Sequence, residues 1–219
     1  MNIIPTLISI QVSLPMTLGY DNAADEMDRP WCTGFFKQPV NGPVLLHQDH
    51  LEGDGQADLR NHGGIDKSIL AYCASHYPYW QKFYPDLMLP YGSFGENFTI
   101  EGLSETMVCI GDIYQIGEVQ VQVSQPRIPC WKISRRWKTH GLTEHVQNSG
   151  FTGWYFRVLK TGSVEAGMDL LLVSRPFPEY TAATLSDLLN HRLEDQEMRS
   201  ALADCPALAE SWREMFRPF

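Results

Sequence analysis

Five residues, Val119-Gln120-Val121-Gln122-Val123, alternate strictly between apolar and polar, and a run of that kind can bury only one face. The two-residue period rules out a helix there and predicts a strand whose valines point into a core. The strand leads directly into Ser124-Gln125-Pro126-Arg127-Ile128-Pro129-Cys130. Each proline holds φ at about −65° and removes a backbone donor, so this loop is stiff. It should display Arg127 and Cys130 in a fixed relation just past a strand end.

Charge sharpens that expectation. The chain carries 17 Lys and Arg against 26 Asp and Glu, a formal net charge of −9. Residues 121–160 run the other way: Arg127, Lys132, Arg135, Arg136, Lys138, Arg157 and Lys160 meet only Glu144, a local +6 that leaves −15 on the remainder. A basic island around one cysteine favours the thiolate and attracts an anionic ligand, whereas the acidic remainder argues against general nucleic-acid binding. The competing interpretation is a set of solvated charges beside an inert, buried cysteine.

At 219 residues, 43% of them hydrophobic, the chain can bury one sizeable core and a small appendage. No apolar run approaches the roughly 20 residues needed to span a bilayer. Residues 1–12 are apolar and alternating, with no basic flank, and read as a first strand rather than a signal peptide. The expectation is a cytoplasmic protein without membrane attachment. Cysteines at 32, 73, 109, 130 and 205 are odd in number and widely spaced, which argues against a disulfide framework. There is no Cys-x-x-Cys and no ferredoxin spacing, so neither a structural zinc site nor an iron–sulfur cluster is expected. Cys73 and Cys109 sit in apolar, strand-like runs and read as core residues.

Short strand signals recur at 6–12, 33–36, 43–48, 68–73, 97–100, 107–110, 113–116, 119–124, 154–159 and 168–174. Two helices interrupt them, one over 75–83 capped by Ser75 and one basic stretch within 134–147. Arg175-Pro176-Phe177-Pro178 marks a stiff boundary. Beyond it the period becomes helical. Thr184-Leu185-Ser186-Asp187 resembles a capping box, Met198 and Leu202 suggest a second helix, and Pro206 opens a third with Leu208, Trp212, Met215 and Phe216 on one face. The fold class is therefore mainly β with α: a barrel domain over 1–176 and a three-helix appendage over 180–219.

Three further segments each carry two interpretations. The glycine-rich stretch from Leu51 to Asp58, continuing through Arg60-Asn61-His62-Gly63-Gly64 to Asp66-Lys67, is a surface turn or one wall of a site. Phe94-Gly95-Glu96-Asn97-Phe98 is an ordinary turn or a polar contribution to that site. Lys37, alone in the apolar segment 33–40, is a snorkelling strand-edge lysine or an anion ligand.

In their order, Thr33 to Val40, Gly53-Asp54-Gly55-Gln56-Ala57-Asp58, His62-Gly63-Gly64-x-Asp66-Lys67, Gly95-Glu96-Asn97, Ile110-Gly111-Asp112 and Ser124-Gln125-Pro126-Arg127-x-Pro129-Cys130 resemble a MOSC-domain protein. Within that superfamily the chain is most similar to the hydroxylaminopurine-resistance proteins of the YiiM type, and the resemblance covers nearly its whole length. It implies a β-barrel that binds molybdenum cofactor (molybdopterin), with Cys130 as the protein ligand to the metal. A soft thiolate suits a metal already held by dithiolene sulfurs. Arg127 would donate a planar fork to an oxo group or to the pterin phosphate, and Lys37 would hold that phosphate. Asn97 would lie near the pterin, Arg60 is a candidate to complete the phosphate site, and His62 is a candidate wall residue or proton donor.

The activity the resemblance implies is reduction of N-hydroxylated compounds such as hydroxylaminopurine to amines, with electrons supplied by a separate reductase because the chain brings no iron–sulfur site. The purified protein is expected in cofactor-free form. Two rivals stand beside it. One is a non-catalytic carrier of the cofactor, or of a persulfide on Cys130, although 219 residues leave no room for a pyridoxal phosphate desulfurase region. The other is a hydrolase that pairs Cys130 with His140 or His145.

Overall fold

The computed structural model describes residues 4–59 and 63–217. Twelve strands follow in chain order: β1 (Thr6–Val12), β2 (Met16–Leu18), β3 (Trp31–Thr33), β4 (Gln38–Pro39), β5 (Val44–Leu46), β6 (Ile69–Cys73), β7 (Phe98–Glu101), β8 (Ile113–Ile116), β9 (Val119–Pro126), β10 (Trp154–Lys160), β11 (Gly162–Val164) and β12 (Leu171–Ser174). Eight of them form one curled sheet in the order β12-β8-β9-β10-β6-β7-β1-β4. Every pairing in it is antiparallel except β6 with β7. The segment leading into β12 bonds back to β1, through Leu7 N to Met168 O at 2.9 Å and Leu170 N to Pro5 O at 2.8 Å. Those bonds draw the two ends of the sheet together toward a barrel.

The valines of β9 are fully buried while Gln120 and Gln122 are only half-buried, as the alternation requires. From Ser124 to Arg127 the alternation stops and every residue is buried. Ser124 is satisfied there, its Oγ lying within donating distance of Asp66 O at 2.6 Å and Tyr155 O at 3.1 Å, whereas Gln125 and Arg127 each keep one buried atom that no described residue matches. The strand therefore delivers its polar end into the interior of the fold.

Six α-helices with described bounds accompany the sheet among the described residues: α1 (Tyr77–Phe83), α2 (Lys132–Arg136), α3 (Leu142–Ser149), α4 (Ala182–Leu189), α5 (Gln196–Ala203) and α6 (Glu210–Phe216). A single apolar cluster joins sheet residues such as Val121 and Phe156 to Leu185, Leu202, Trp212 and Phe216 of the last three helices. A second, aromatic cluster of Phe35, Tyr72, Tyr77, Trp80 and Phe94 packs against Ile133, Leu142 and Val146 of α2 and α3.

Several local expectations shift. Residues 107–110 form no strand, because Cys109 N donates to Asp112 Oδ2 at 2.9 Å and turns the chain. Ser75 lies in a 3₁₀ turn and caps nothing. The basic stretch splits into α2 and α3 around Gly141, which adopts a left-handed φ of 76°. Helix α4 starts three residues before the Thr184 box, since Thr181 accepts from Thr184 N at 3.0 Å. Pro206 does not open α6. Ala209 N donates to Ser124 O on β9 at 2.9 Å, which holds 206–209 in turns and postpones the helix to Glu210. No helix among the described residues is long and apolar enough to cross a membrane.

Candidate functional site

Two loops distant in sequence meet edge to edge beside β1. A Cβ on Gly34 would lie 2.5 Å from the Gly55 carbonyl oxygen, so only glycine permits the approach. Their contact sets Lys37 against Asp54, whose carboxylate also accepts from Ser13 N at 2.7 Å and from Asn97 Nδ2 at 2.9 Å. Asn97 is itself fixed by its Oδ1, which accepts from Leu70 N at 3.1 Å. Both members of the Lys37–Asp54 ion pair are buried. Burial is the largest influence on Lys37 and pushes its ammonium below the ordinary lysine range despite the neighbouring carboxylate. Lys37 is thus an interior, paired cation, and the snorkelling alternative fails.

Arg127 lines the same cavity as Lys37. Its backbone N donates to Gly153 O at 3.0 Å, and Gly153 N donates to Glu105 Oε1 at 2.7 Å. Glu105 is in turn bonded to His76 Nε2 at 2.7 Å, and the His76 ring stacks on Phe151 with centroids 3.8 Å apart. This buried relay fixes the backbone under the guanidinium. The side chain differs: Arg127 is only 5% exposed, yet its Nη1 has no partner among the described residues. A buried, unmatched guanidinium nitrogen is costly and marks where an anionic acceptor belongs.

Lys37, Asp54, Asn97, Arg127 and Cys130 line one cavity of about 90 Å³ that opens to solvent. Cys130 is partly exposed, whereas Cys73 and Cys109 are buried and burial pushes their thiols up. Lys67, Lys132 and Tyr155 also face the cavity, and sequence reasoning had assigned them no role. Burial raises the Tyr155 phenol above its ordinary range, so the hydroxyl keeps its proton. Asp54 was likewise missed as an individual residue. The available signal was an acid between two glycines in a chain with one isolated lysine. Arg60 and His62 lie outside the described residues.

The remaining expectations separate. Glu96 is a structural acceptor for Gly92 N at 2.7 Å and Phe94 N at 3.1 Å, so the turn reading fits Glu96 while its neighbour Asn97 faces the cavity. Much of the basic island is tied up: Lys138 pairs with Asp28 at 2.6 Å, Arg157 with Asp66 at 2.8 Å, and Arg135 donates to Met27 O at 3.1 Å. His145 is held at both ring nitrogens by the hydroxyls of Tyr79 and Tyr84, each at 2.8 Å. His140 is exposed, and neither histidine lines the cavity. Neither His140 nor His145 is therefore placed to act as the base of the hydrolase alternative.

Residues 58–170 match the MOSC domain. The chain is 40% identical to the uncharacterized protein YflK of Bacillus subtilis over 96% of its own length and 92% of that protein. The chain belongs to the MOSC-domain family. Its structure superposes on the crystal structure of YiiM from Geobacillus stearothermophilus with a TM-score of 0.79 at 34% identity, covering 97% of both chains, so it is a YiiM-type MOSC protein. It is also 33% identical to a protein named Reductase from Gibberella moniliformis, over 80% of this chain and 31% of that one.

MOSC domains are generally molybdenum cofactor-binding domains. The donor set here fits such a group. One partly exposed thiol stands beside a buried guanidinium with an unmatched donor, with lysines and an amide on the surrounding walls. Among the described residues no cluster of three or more His, Cys, Asp or Glu could hold a metal ion. Cys130 would hold such a group as a single protein ligand, which suits a metal that arrives with other ligands.

Proposed function

We propose that this MOSC protein is a molybdenum cofactor-dependent reductase that converts N-hydroxylated compounds, including N-hydroxylated base analogues, to amines. The observation that carries the reading is the shared cavity in which Cys130 sits beside Arg127 and its unmatched, buried Nη1. The relative named Reductase points to the same class of chemistry. When bound, the cofactor supplies the two-electron chemistry that a polypeptide lacks.

The chain's residues have separate tasks in this reading. Cys130 would hold the metal through its thiolate, and Arg127 with Lys132 would balance the negative charge of the bound group. The Asp54 carboxylate orients Asn97 and Lys37, and Tyr155, which keeps its proton, would be available to donate to an oxygen in the cavity. The overall conversion takes R–NH–OH, two electrons and two protons to R–NH₂ and water. Electrons come from a separate reductase.

Expression in a cofactor-producing host, followed by metal analysis and assay of 6-hydroxylaminopurine with a chemical electron donor, tests the proposal. Stoichiometric molybdenum and formation of adenine are expected. Metal-loaded protein that reduces no N-hydroxylated compound would refute the reductase reading.

A further inference from the structure

Cys130 is held through its backbone by two helices at once. Its carbonyl oxygen accepts from Ile133 N, in the first turn of α2, at 3.1 Å, and from Thr143 Oγ1, in the first turn of α3, at 3.2 Å. The connection over residues 137–141 makes that reach possible. Lys138 and Gly141 take left-handed φ values of 46° and 76°, and Thr139 N donates to Ser134 O at 2.9 Å, so the chain reverses sharply. Such a φ is uncommon for a lysine, and other contacts must hold the reversal in place.

Ser134 and Thr143 supply them by interlocking. Ser134 N donates to Thr143 Oγ1 at 3.1 Å, Thr143 N donates to Ser134 Oγ at 2.9 Å, and the two hydroxyls lie 2.9 Å apart. Each hydroxyl has one proton to give. Thr143 gives its proton to Cys130 O, so the proton between the hydroxyls comes from Ser134. Helix α3 is a fixed base for this reach: Leu142 and Val146 are buried in the aromatic cluster, the hydroxyls of Tyr79 and Tyr84 hold His145, and Gln147 Nε2 donates to Asn190 Oδ1 at 2.8 Å. The reversal itself needs only the Ser134–Thr143 pair. The further bond to Cys130 O lies outside the turn and acts on the residue whose thiol lines the cavity.

We infer that Thr143 is a positioning residue for Cys130: its hydroxyl, oriented by Ser134, pins the Cys130 carbonyl and so sets how the thiol is presented to the cavity. Pro129 stiffens the chain on the other side of the same residue. The inference rests on the reading of Cys130 as the attachment residue for its purpose, but the presentation of the thiol can be followed in protein without cofactor.

Alkylation of Cys130 by iodoacetamide, followed peptide by peptide over a pH series in the cofactor-free full chain, tests it, with the exposed Cys32 as internal reference. Thr143→Val keeps the shape and removes the hydroxyl. It should raise the Cys130 rate by about fivefold, the factor carried by one hydrogen bond, while the Cys32 rate stays unchanged. Thr143→Ser returns the hydroxyl and should return the wild-type profile. Ser134→Ala weakens the clasp but leaves Thr143 able to donate to Cys130 O, so it should lower the melting temperature without changing the Cys130 rate. In protein from a cofactor-producing host, Thr143→Val should retain about fivefold less molybdenum than wild type, and Thr143→Ser as much as wild type. Wild-type alkylation and metal content in Thr143→Val would overturn the positioning role, as would a Cys130 rate that rises in Ser134→Ala in step with lost stability. Altered thiol kinetics in Thr143→Val, where even wild type binds no molybdenum, would instead retire the cofactor reading and leave the positioning role standing.

Discussion

Asp54 and Asn97, 43 residues apart in sequence, meet through a buried 2.9 Å hydrogen bond, and the same carboxylate carries the Lys37 ion pair. Breaking a buried pair on one side leaves an uncompensated charge, whereas removing both sides often does not destabilise. Lys37→Met and Asp54→Asn should each cost about 3–5 kcal/mol, and the double variant should recover most of that loss. Denaturant melts of the four proteins in this cycle are the check, with additive losses counting against a coupled pair.

Cys130→Ser should abolish molybdenum retention and N-reduction while the melting temperature of cofactor-free protein stays within about 0.5 kcal/mol equivalent of wild type, since the thiol is partly exposed. Cys73→Ser and Cys109→Ser should show the reverse pattern, because both thiols are buried. Metal content and thermal melts of the three variants separate attachment from packing.

Arg127→Met should be neutral or stabilising for the cofactor-free chain, by up to about 1–3 kcal/mol, because it removes a buried nitrogen that no described residue satisfies. The same change should lower cofactor occupancy at least tenfold. Arg127→Lys tests the fork: it keeps the charge, and retained occupancy would show that charge alone suffices. Substantial destabilisation of cofactor-free Arg127→Met would contradict an unmatched guanidinium.

Trp212 is 1% exposed within the shared core, and Trp212→Ala should cost about 3–5 kcal/mol of stability. Thermal melts of the two proteins are the check, and an unchanged midpoint would place the ring outside the core.

Burial raises the phenols of Tyr72 and Tyr77 well above their ordinary value. Below the unfolded phenol value of about 10, both folded and unfolded chains hold these protons and the contribution is complete. Above it the unfolded chain releases them first, so stability falls as pH rises. Tyr77→Phe removes one such group, and its denaturation midpoint should fall less steeply than wild type from about pH 9 to pH 11. Parallel slopes would show that Tyr77 ionises freely in the folded state.

The alternation of Val119 to Val123 sufficed to place β9, its buried face and the loop that ends at Cys130, because a period of two is a purely local constraint. The helical stripe through Leu208, Trp212 and Phe216 was equally legible as core, since spacing reports which side chains share a face. Helix starts were not. Thr181 and Thr184 offer competing local caps and spacing does not rank them, while Ala209 bonds to Ser124, a partner that only the folded chain brings near. Sequence order also named Lys37, Asn97, Arg127 and Cys130 as candidates without revealing that Asp54 already engages two of them. Pairing across 17 and 43 residues is decided by the approach of Gly34 to Gly55 and by the register of β1 with β7, which no local pattern encodes. The unmatched nitrogen of Arg127 and the unmatched oxygen of Gln125 belong to the same category. A residue's type fixes what it can donate or accept, and only tertiary packing decides whether a partner is there.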